Sequence, residues 1–281
     1  MSLPRTTGAE VSLDRLVSLA DHVVAEGVPG LSHGLAGGLS GPRRGDGGDL
    51  FDLRPFQEGD DLRRIDPAAT ARSGRPQVRS RHEEVERTLM LVADFRGPML
   101  WGTRGRFRSV AAAEALALEG WRAVLAGGRV GIMIVGNRQV DYLAPRARET
   151  AMLRVAEVLV RAHTSALADF QTEHDSAAAL LDVIIERIAP GTAVRLATGL
   201  DEPGPDFGPA AAALMRKCPL EVLLVQDAVE AAPPRGSFSA RIGSRIAKGR
   251  FGPSASADLL SLNGIPTRIV PAADPFVVSA A

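Results

Sequence analysis

From residue 88 onward, continuous apolar runs alternate with longer amphipathic segments, and this alternation strongly constrains the fold. Because parallel strands need crossover connections, strands that alternate with helices build a mostly parallel sheet with helices on both faces. The sequence therefore predicts an α/β fold. Strands are predicted at 88–94, 129–135, 139–143, 193–197, 220–226 and 266–270, and helices at 107–126, 149–163, 175–188, 209–217 and 254–262.

The N-terminal part of the chain has a different pattern. Residues 10–26 have the apolar spacing of an amphipathic helix, and residues 30–50 have the glycine-rich composition of a loop. Residues 51–87 interleave opposite charges with anchoring apolar side chains, which indicates an ordered but irregular charged surface. We predict that residues 1–87, the helix and an Arg/Asp-rich signature segment, pack on a main α/β domain of residues 88–281.

Composition narrows the function classes. The 33 basic residues equal the 33 acidic residues, which argues against a general binder of nucleic acid or anionic membranes. Neither a secretory leader nor an apolar run long enough for a membrane span is present, so we expect a cytoplasmic protein without a membrane span. The single cysteine, Cys218, precedes an apolar run, and we interpret it as a packed residue rather than a nucleophile.

The end of the first predicted strand is the candidate ligand site, because open α/β sheets bind ligands at the carboxyl ends of their strands. Asp94 ends this strand. A carboxylate followed by hydroxyls at alternate positions would hold Mg²⁺, but Arg96 and Pro98 occupy those positions. A guanidinium repels a cation and proline offers no side-chain ligand. We therefore predict that Asp94 bonds to its own turn or pairs with Arg96, and that no cofactor is required, with Mg²⁺ at Asp94 as the disfavoured alternative.

Motifs of several enzyme classes are absent from the sequence. It contains no P-loop, no G-x-G-x-x-G after the first strand, no G-x-S-x-G elbow and no histidines at zinc-ligand spacing. We therefore predict a protein that is not an enzyme.

A short charged segment, residues 54–66, is the most distinctive candidate for a functional segment in the sequence. Its carboxylates interleave with guanidiniums, which lower carboxylate pKa values and so disfavour general-base catalysis. We interpret the segment as structural and partner-docking, and keep a metal-dependent hydrolase as an alternative. The carboxylates are Asp60, Asp61 and Asp66, and the guanidiniums are Arg54, Arg63 and Arg64.

The stretch from residue 45 to residue 72 resembles the signature of the domain-of-unknown-function family 58. It departs from that pattern at Phe56, where the family has Tyr, and at Pro67, where the family has Trp. The resemblance implies a von Willebrand factor A-like fold, a Rossmann-like α/β sheet. It also implies partnership with a MoxR-type AAA+ ATPase in the assembly or maturation of a client protein. The matching residues are Gly45, Phe51, Arg54, Gly59, Asp60, Arg63, Ile65, Asp66, Ala71 and Arg72.

Members of that family often carry a metal-ion-dependent adhesion site built from Asp-x-Ser-x-Ser, a later Thr and an Asp after the fourth strand. The resemblance implies that the corresponding positions form a degenerate site in which only the first Asp matches. They are Asp94, Arg96, Pro98, Ser176 and Asp201. The signature residues expected to bind a partner are Arg54, Gly59, Asp60, Asp61, Arg63, Asp66 and Arg72.

These observations favour a non-enzymatic protein-interaction module that partners a MoxR-type ATPase and an unknown protein client. One alternative is a Mg²⁺-dependent adhesion module that holds metal through Asp94, Ser176 and Asp201. The other is a metal-dependent hydrolase that uses Asp60, Asp61 and Asp66.

Overall fold

The computed structural model describes residues 8–27, 51–56, 65–81, 88–137, 139–170, 173–242, 245–250 and 254–273. The chain divides into two compact units. One comprises Met1–Gly34 with Arg87–Ala281, and the other comprises Leu35–Glu86.

The larger unit is built on a six-stranded sheet with the order β10-β7-β6-β3-β4-β5. All neighbouring strands are parallel except β4 and β5, which are antiparallel. Counted along the chain, this is the 3-2-1-4-5-6 order of doubly wound α/β folds, with an antiparallel strand at one edge. The predicted von Willebrand factor A-like fold class is confirmed. The strands are β3 (Thr88–Asp94), β4 (Arg129–Val135), β5 (Val140–Ala147), β6 (Ala193–Thr198), β7 (Leu220–Gln226) and β10 (Thr267–Pro271).

Helices cover both faces of this sheet because successive residues of a buried strand point to opposite faces. The helices are α1 (Leu13–Glu26), α3 (Arg108–Leu125), α4 (Glu149–Ala168), α5 (Ala177–Arg187), α6 (Phe207–Lys217) and α8 (Ser256–Leu262). Leu91 of β3 belongs to the hydrophobic cluster under α1, α3 and α4, whereas its neighbour Val92 belongs to the cluster under α5, α6 and α8. None of the helices within the described residues is long and apolar enough to cross a membrane.

Helix α1 lies in the α/β unit. Its Leu16, Leu19 and Val23 are buried in the cluster that also contains Trp121 of α3. The Trp121 indole N–H donates a hydrogen bond of 2.9 Å to the carbonyl of Leu16. The predicted packing of the whole of residues 1–87 on this unit stays a prediction.

The smaller unit contains a hairpin of β1 (Phe51–Pro55) and β2 (Gln77–Arg81), with α2 (Pro67–Ser73) between the strands. Pro67 begins the helix, where a missing N–H costs nothing, and Gly74 ends it with a φ of 68°. The described part of this segment thus has more regular secondary structure than we predicted. The strands were missed because charged residues interrupt the apolar pattern by which a strand is recognised.

The structure also contains elements that the sequence analysis does not predict. After β7 come a single helical turn, α7 (Ala228–Ala231), and a hairpin of β8 (Phe238–Ile242) and β9 (Arg245–Gly249). Strand β5 extends to Ala147, four residues beyond the predicted end at 143. The prediction ended too early because only the first part of this partly exposed strand is apolar.

Candidate functional site

The candidate site lies at the carboxyl ends of β3 and β6, the two central strands. From β3 the sheet continues through β4 towards one edge, and from β6 it continues through β7 towards the other. The loops after two such strands diverge and leave a crevice, which is where ligands bind in folds of this class. Asp94 is the last residue of β3, and Thr198 is the last residue of β6.

The carboxylate of Asp94 is buried and receives four hydrogen bonds. Arg96 donates to Oδ1 from Nε at 2.8 Å and from its backbone N–H at 3.1 Å, and to Oδ2 from Nη2 at 2.7 Å. The Thr198 hydroxyl donates to Oδ2 at 2.7 Å. A carboxylate offers about four lone-pair positions, so these donors use its whole acceptor capacity. Asp94 and Arg96 are each only 1% exposed.

Arg96 stays charged in this setting. Burial by itself would lower the pKa of Arg96, but the Asp94 carboxylate, together with the charges of Asp201 and Asp175, outweighs burial and raises the pKa above its ordinary value. Its Nη1 also donates to the backbone carbonyl of Asp175. The guanidinium therefore joins the loop after β3 to the start of α5.

These residues do not fit a divalent metal ion. The first ligand position, Asp94, has its oxygens saturated by nitrogen and hydroxyl donors, and a fixed positive charge adjoins it. Pro98 offers only its backbone carbonyl, which accepts a 2.6 Å hydrogen bond from Arg108. Within the described part of the chain, no group of three or more His, Cys, Asp or Glu side chains is arranged to hold a metal.

A second buried guanidinium holds Asp201. Arg108, at the start of α3, is fully buried and bonds to Asp201, to Glu230 at 2.7 Å and to the Pro98 carbonyl. Its guanidinium carbon lies 5.0 Å from the centre of the Trp101 ring, a cation–π arrangement. Burial raises the pKa of the Asp201 carboxyl, and the Arg108 charge offsets this only in part.

The loop after β6 has an uncommon backbone. Leu200 has a φ of 57° and Glu202 a φ of 47°, in the left-handed region that non-glycine residues seldom adopt. A Cβ atom on Gly199 would lie 2.7 Å from the Arg108 guanidinium, so any larger residue there would displace that group from its partners. In this loop the Asp201 carboxylate accepts a hydrogen bond from the Arg108 guanidinium.

Ser176 does not reach Asp94. Its hydroxyl caps α5 by accepting a hydrogen bond of 3.3 Å from the Ala179 N–H. The hydroxyl that bonds to Asp94 belongs to Thr198, which the sequence analysis did not single out. The sequence feature that could have identified Thr198 is its position directly after the predicted strand 193–197. In the structure this strand is β6, which lies next to β3 in the sheet.

A further tether is centred on Asp227, directly after β7. Its carboxylate accepts hydrogen bonds from the backbone N–H of Thr103 at 2.7 Å and from the Thr103 hydroxyl, and it caps α7 together with Glu230. Burial by itself would raise the pKa of Asp227, but these hydrogen bonds outweigh it and lower the pKa. Asp227 therefore links the loop after β3 to the end of β7.

The signature residues lie in the smaller unit. Asp66 caps α2 by accepting a hydrogen bond of 2.8 Å from the Ala69 N–H, and Arg72 is exposed in the last turn of α2. Arg54 lies in β1 and pairs in register with Val78. Four predicted site residues lie outside the described residues, namely Gly59, Asp60, Asp61 and Arg63.

Together, the strand order and the loops define a von Willebrand factor A-like α/β protein whose central strand-end carboxylate is paired with an arginine of its own loop. The chain belongs to the family described as protein of unknown function DUF58, whose profile matches residues 52–234.

Similar proteins include the uncharacterized proteins Rv1480 of Mycobacterium tuberculosis and Mb1516 of Mycobacterium bovis. Each is 30% identical over 159 residues, which cover 54% of this chain and 48% of the relative. The chain thus spans about half the length of these curated relatives. A solved structure, the conserved hypothetical protein BatB of Bacteroides thetaiotaomicron, aligns with a TM-score of 0.42 and 12% identity over 66% of this chain and 90% of that chain. The strand order of the sheet, and not this likeness, establishes the doubly wound α/β fold.

Proposed function

We propose that the protein is a non-enzymatic interaction module that docks a MoxR-type AAA+ ATPase in the assembly or maturation of a client protein, without a bound metal ion. The observation that carries the metal-independent part is the buried Asp94–Arg96 pair, in which a guanidinium of the chain itself neutralises the carboxylate. The ATPase partnership is supported by membership of the family alone.

The fixed geometry of the strand-end loops supports a docking role. Arg96 ties the loop after β3 to α5, Arg108 ties it to the loop after β6, and Asp227 ties it to β7. A surface fixed in this way loses little conformational entropy when it binds, which favours recognition by preorganised contacts.

Trp101 is the best candidate for an energetic centre on this surface. It is 38% exposed, and its ring packs against the buried guanidinium of Arg108. Tryptophan is enriched among the residues that carry most of the binding energy at protein interfaces. The second proposed docking surface is the charged segment from Arg54 to Asp66.

The partnership is tested with the purified full chain and a purified MoxR-type ATPase from the same source. We expect Trp101→Ala to weaken binding by about tenfold or more, in keeping with an interfacial tryptophan. Tyr142→Ala, which removes an aromatic ring of similar exposure (46%) from β5, is the matched control and should leave binding unchanged. Failure of the wild type to bind an ATPase preparation that binds other partners would reject the partnership.

Metal independence is tested separately by calorimetric titration with Mg²⁺. We expect no binding heat from the wild type and none from Asp94→Ala. The double variant Arg96→Ser/Pro98→Ser restores the Asp-x-Ser-x-Ser pattern, and we expect it to gain a Mg²⁺ site. An Asp94-dependent binding heat in the wild type would instead support the Mg²⁺-dependent adhesion module.

A further inference from the structure

The central sheet ends at β10, and the outer side of this strand has open main-chain positions. Among the described strands, β10 pairs only with β7, with Thr267 in register with Val222. The Val222 N–H donates to the carbonyl of Pro266, the residue before Thr267. In a parallel ladder of this register, alternate residues of an edge strand bond to the neighbouring strand, and the residues between them point away from it. The N–H and C=O groups of Thr267 and Ile269 therefore point to the open side of the sheet.

An apolar surface accompanies this open edge. The side chain of Ile269 is 55% exposed. Val270 belongs to the hydrophobic cluster under α1, α3 and α4, so Ile269 points to the opposite face of the sheet, where α8 lies. Leu262, at the end of α8, is 84% exposed. Large apolar side chains thus lie at the edge of the sheet in contact with solvent.

The single charge of β10 is neutralised within the chain. Arg268 is paired with Glu119 of α3 at 2.9 Å and with Glu221 of β7 at 3.5 Å. Its charge therefore neither repels an identical strand strongly nor selects an acidic one. Strand β5, at the other edge of the sheet, contains Pro145 and Arg146, and residues of these types discourage edge pairing. The β10 edge is thus the better suited of the two to accept another strand.

We propose that β10 is the contact of a homodimer, in which the β10 strand of a second copy pairs with it in antiparallel orientation about a twofold axis at Ile269. The two Ile269 residues then lie opposite each other and exchange two main-chain hydrogen bonds. Arg268 lies opposite Val270 of the second copy, so no like charges are directly opposed. A twofold axis that pairs identical patches is the commonest symmetry of soluble oligomers.

A second copy suits this edge better than a flexible segment of another protein. The edge is short, because Pro271 ends the strand and has no N–H to offer. Both edges of a dimer are already formed in the folded chains, whereas a flexible segment would lose conformational entropy on binding. A contact of this length lies among small interfaces of less than about 1,200 Å², so we expect a weak dimer that depends on protein concentration. This inference does not depend on the ATPase partnership.

Sedimentation velocity of the full chain, from micromolar to near-millimolar concentration, tests the dimer. Ile269→Pro removes an N–H that points away from β7 and leaves the ladder with β7 intact, as proline does on the outer side of an edge strand. We expect it to raise the dissociation constant of the dimer by about tenfold or more, since the lost hydrogen bond occurs twice in a symmetric pair. Unchanged thermal unfolding at low concentration would show that the variant keeps its fold.

A second variant tests the same contact through its side chain. Ile269→Lys places like charges opposite each other and should also weaken the dimer by about tenfold or more. Leu153→Lys, the same change at a 40% exposed position of α4, is the matched control and should dimerise like the wild type. Equal dimerisation of these two variants would overturn the proposal.

Hydrogen exchange of the Ile269 amide locates the interface. We expect this amide to exchange rapidly at low protein concentration and slowly at high concentration. A chain that stays monomeric throughout, or a dimer in which the Ile269 amide still exchanges rapidly, would overturn the proposal. Protection of this amide in a monomeric chain only after an extended peptide of alternating Val and Thr is added would also overturn it, and would assign the edge to a foreign strand.

Discussion

Arg96 lies two residues after Asp94, and its side chain donates hydrogen bonds of 2.8 and 2.7 Å to both oxygens of that carboxylate. The pair is sealed from solvent, and Thr198 completes the acceptor set. The negative charge of Asp94 is thus neutralised by a guanidinium of the same chain and not by a cation from solution. The cost of burying both charges is offset only while both partners are present.

The first prediction concerns this pair. Arg96→Ala leaves a buried carboxylate without its counter-charge and should lower the free energy of unfolding by about 3–5 kcal/mol. Asp94→Ala/Arg96→Ala removes both charges and should cost less than the sum of the single variants. Urea denaturation of the full chain measures these changes. The exposed Arg104→Ala serves as control, and an Arg96→Ala variant as stable as this control would contradict the argument.

The second prediction concerns pH. His163 is buried beside Phe95, with 5.4 Å between the ring centres, and its Nε2 lies 2.9 Å from the Ser109 hydroxyl. Burial lowers the pKa of His163 from 6.5 to about 4. The unfolded chain therefore takes up a proton at this residue below pH 6.5, while the folded chain does so only near pH 4.

It follows that stability contributed by neutral His163 is complete above pH 6.5 and is lost as the pH falls towards 4. The loss should approach about 3 kcal/mol, since one pKa unit corresponds to about 1.4 kcal/mol. The measurement is the difference in free energy of unfolding between the wild type and His163→Gln across this range. Parallel pH profiles for the two proteins would refute the assignment.

The third prediction concerns the close approach of Gly199 to Arg108. An added methyl group would lie 2.7 Å from a guanidinium that Asp201, Glu230 and the Pro98 carbonyl hold in place. Gly199→Ala should therefore lower the free energy of unfolding by about 1–3 kcal/mol. Gly136→Ala is the control, because the nearest atom to its added methyl group is 3.6 Å away. Equal thermal unfolding of the two variants would contradict the prediction.

The fourth prediction concerns Cys218. The thiol is buried at the end of α6, and burial raises its pKa. Reaction with a thiol-specific disulfide reagent should therefore be slow in the folded protein and complete within the mixing time in urea, because the thiolate is the reactive form. Rapid reaction of the native protein would show that the thiol is accessible.

The sequence predicts the sheet well because its buried strands are continuous apolar runs, as in β3 and β7. It also predicts that Asp94 bonds to its own turn or pairs with Arg96, because opposite charges two residues apart at a strand end can be recognised from the local sequence. The other contacts of the site join residues far apart in the chain. Thr198 is 104 residues from Asp94, and the parallel alignment of β3 and β6 brings them together. Thr103 is 124 residues from Asp227, and the path of the loop after β3 brings these two together.

The hairpin of β8 and β9 was not predicted for a different reason. Its strands contain Ser, Ala, Arg and Gly with few large apolar residues, which is the composition of a loop. In β8, Phe238, Ala240 and Ile242 do alternate with Ser239 and Arg241, but this five-residue pattern between glycine-rich stretches was not recognised as a strand.

The two tryptophans of the chain occupy opposite environments, and this gives the protein two internal optical reporters. Trp121 is enclosed between α1 and α3, so its emission should be blue-shifted and should move only when the core opens. Trp101 faces solvent above Arg108, so its emission should be red-shifted and should change when a molecule covers the strand-end loops. Single-tryptophan variants could thus distinguish occupancy of that surface from loss of the fold without any added label.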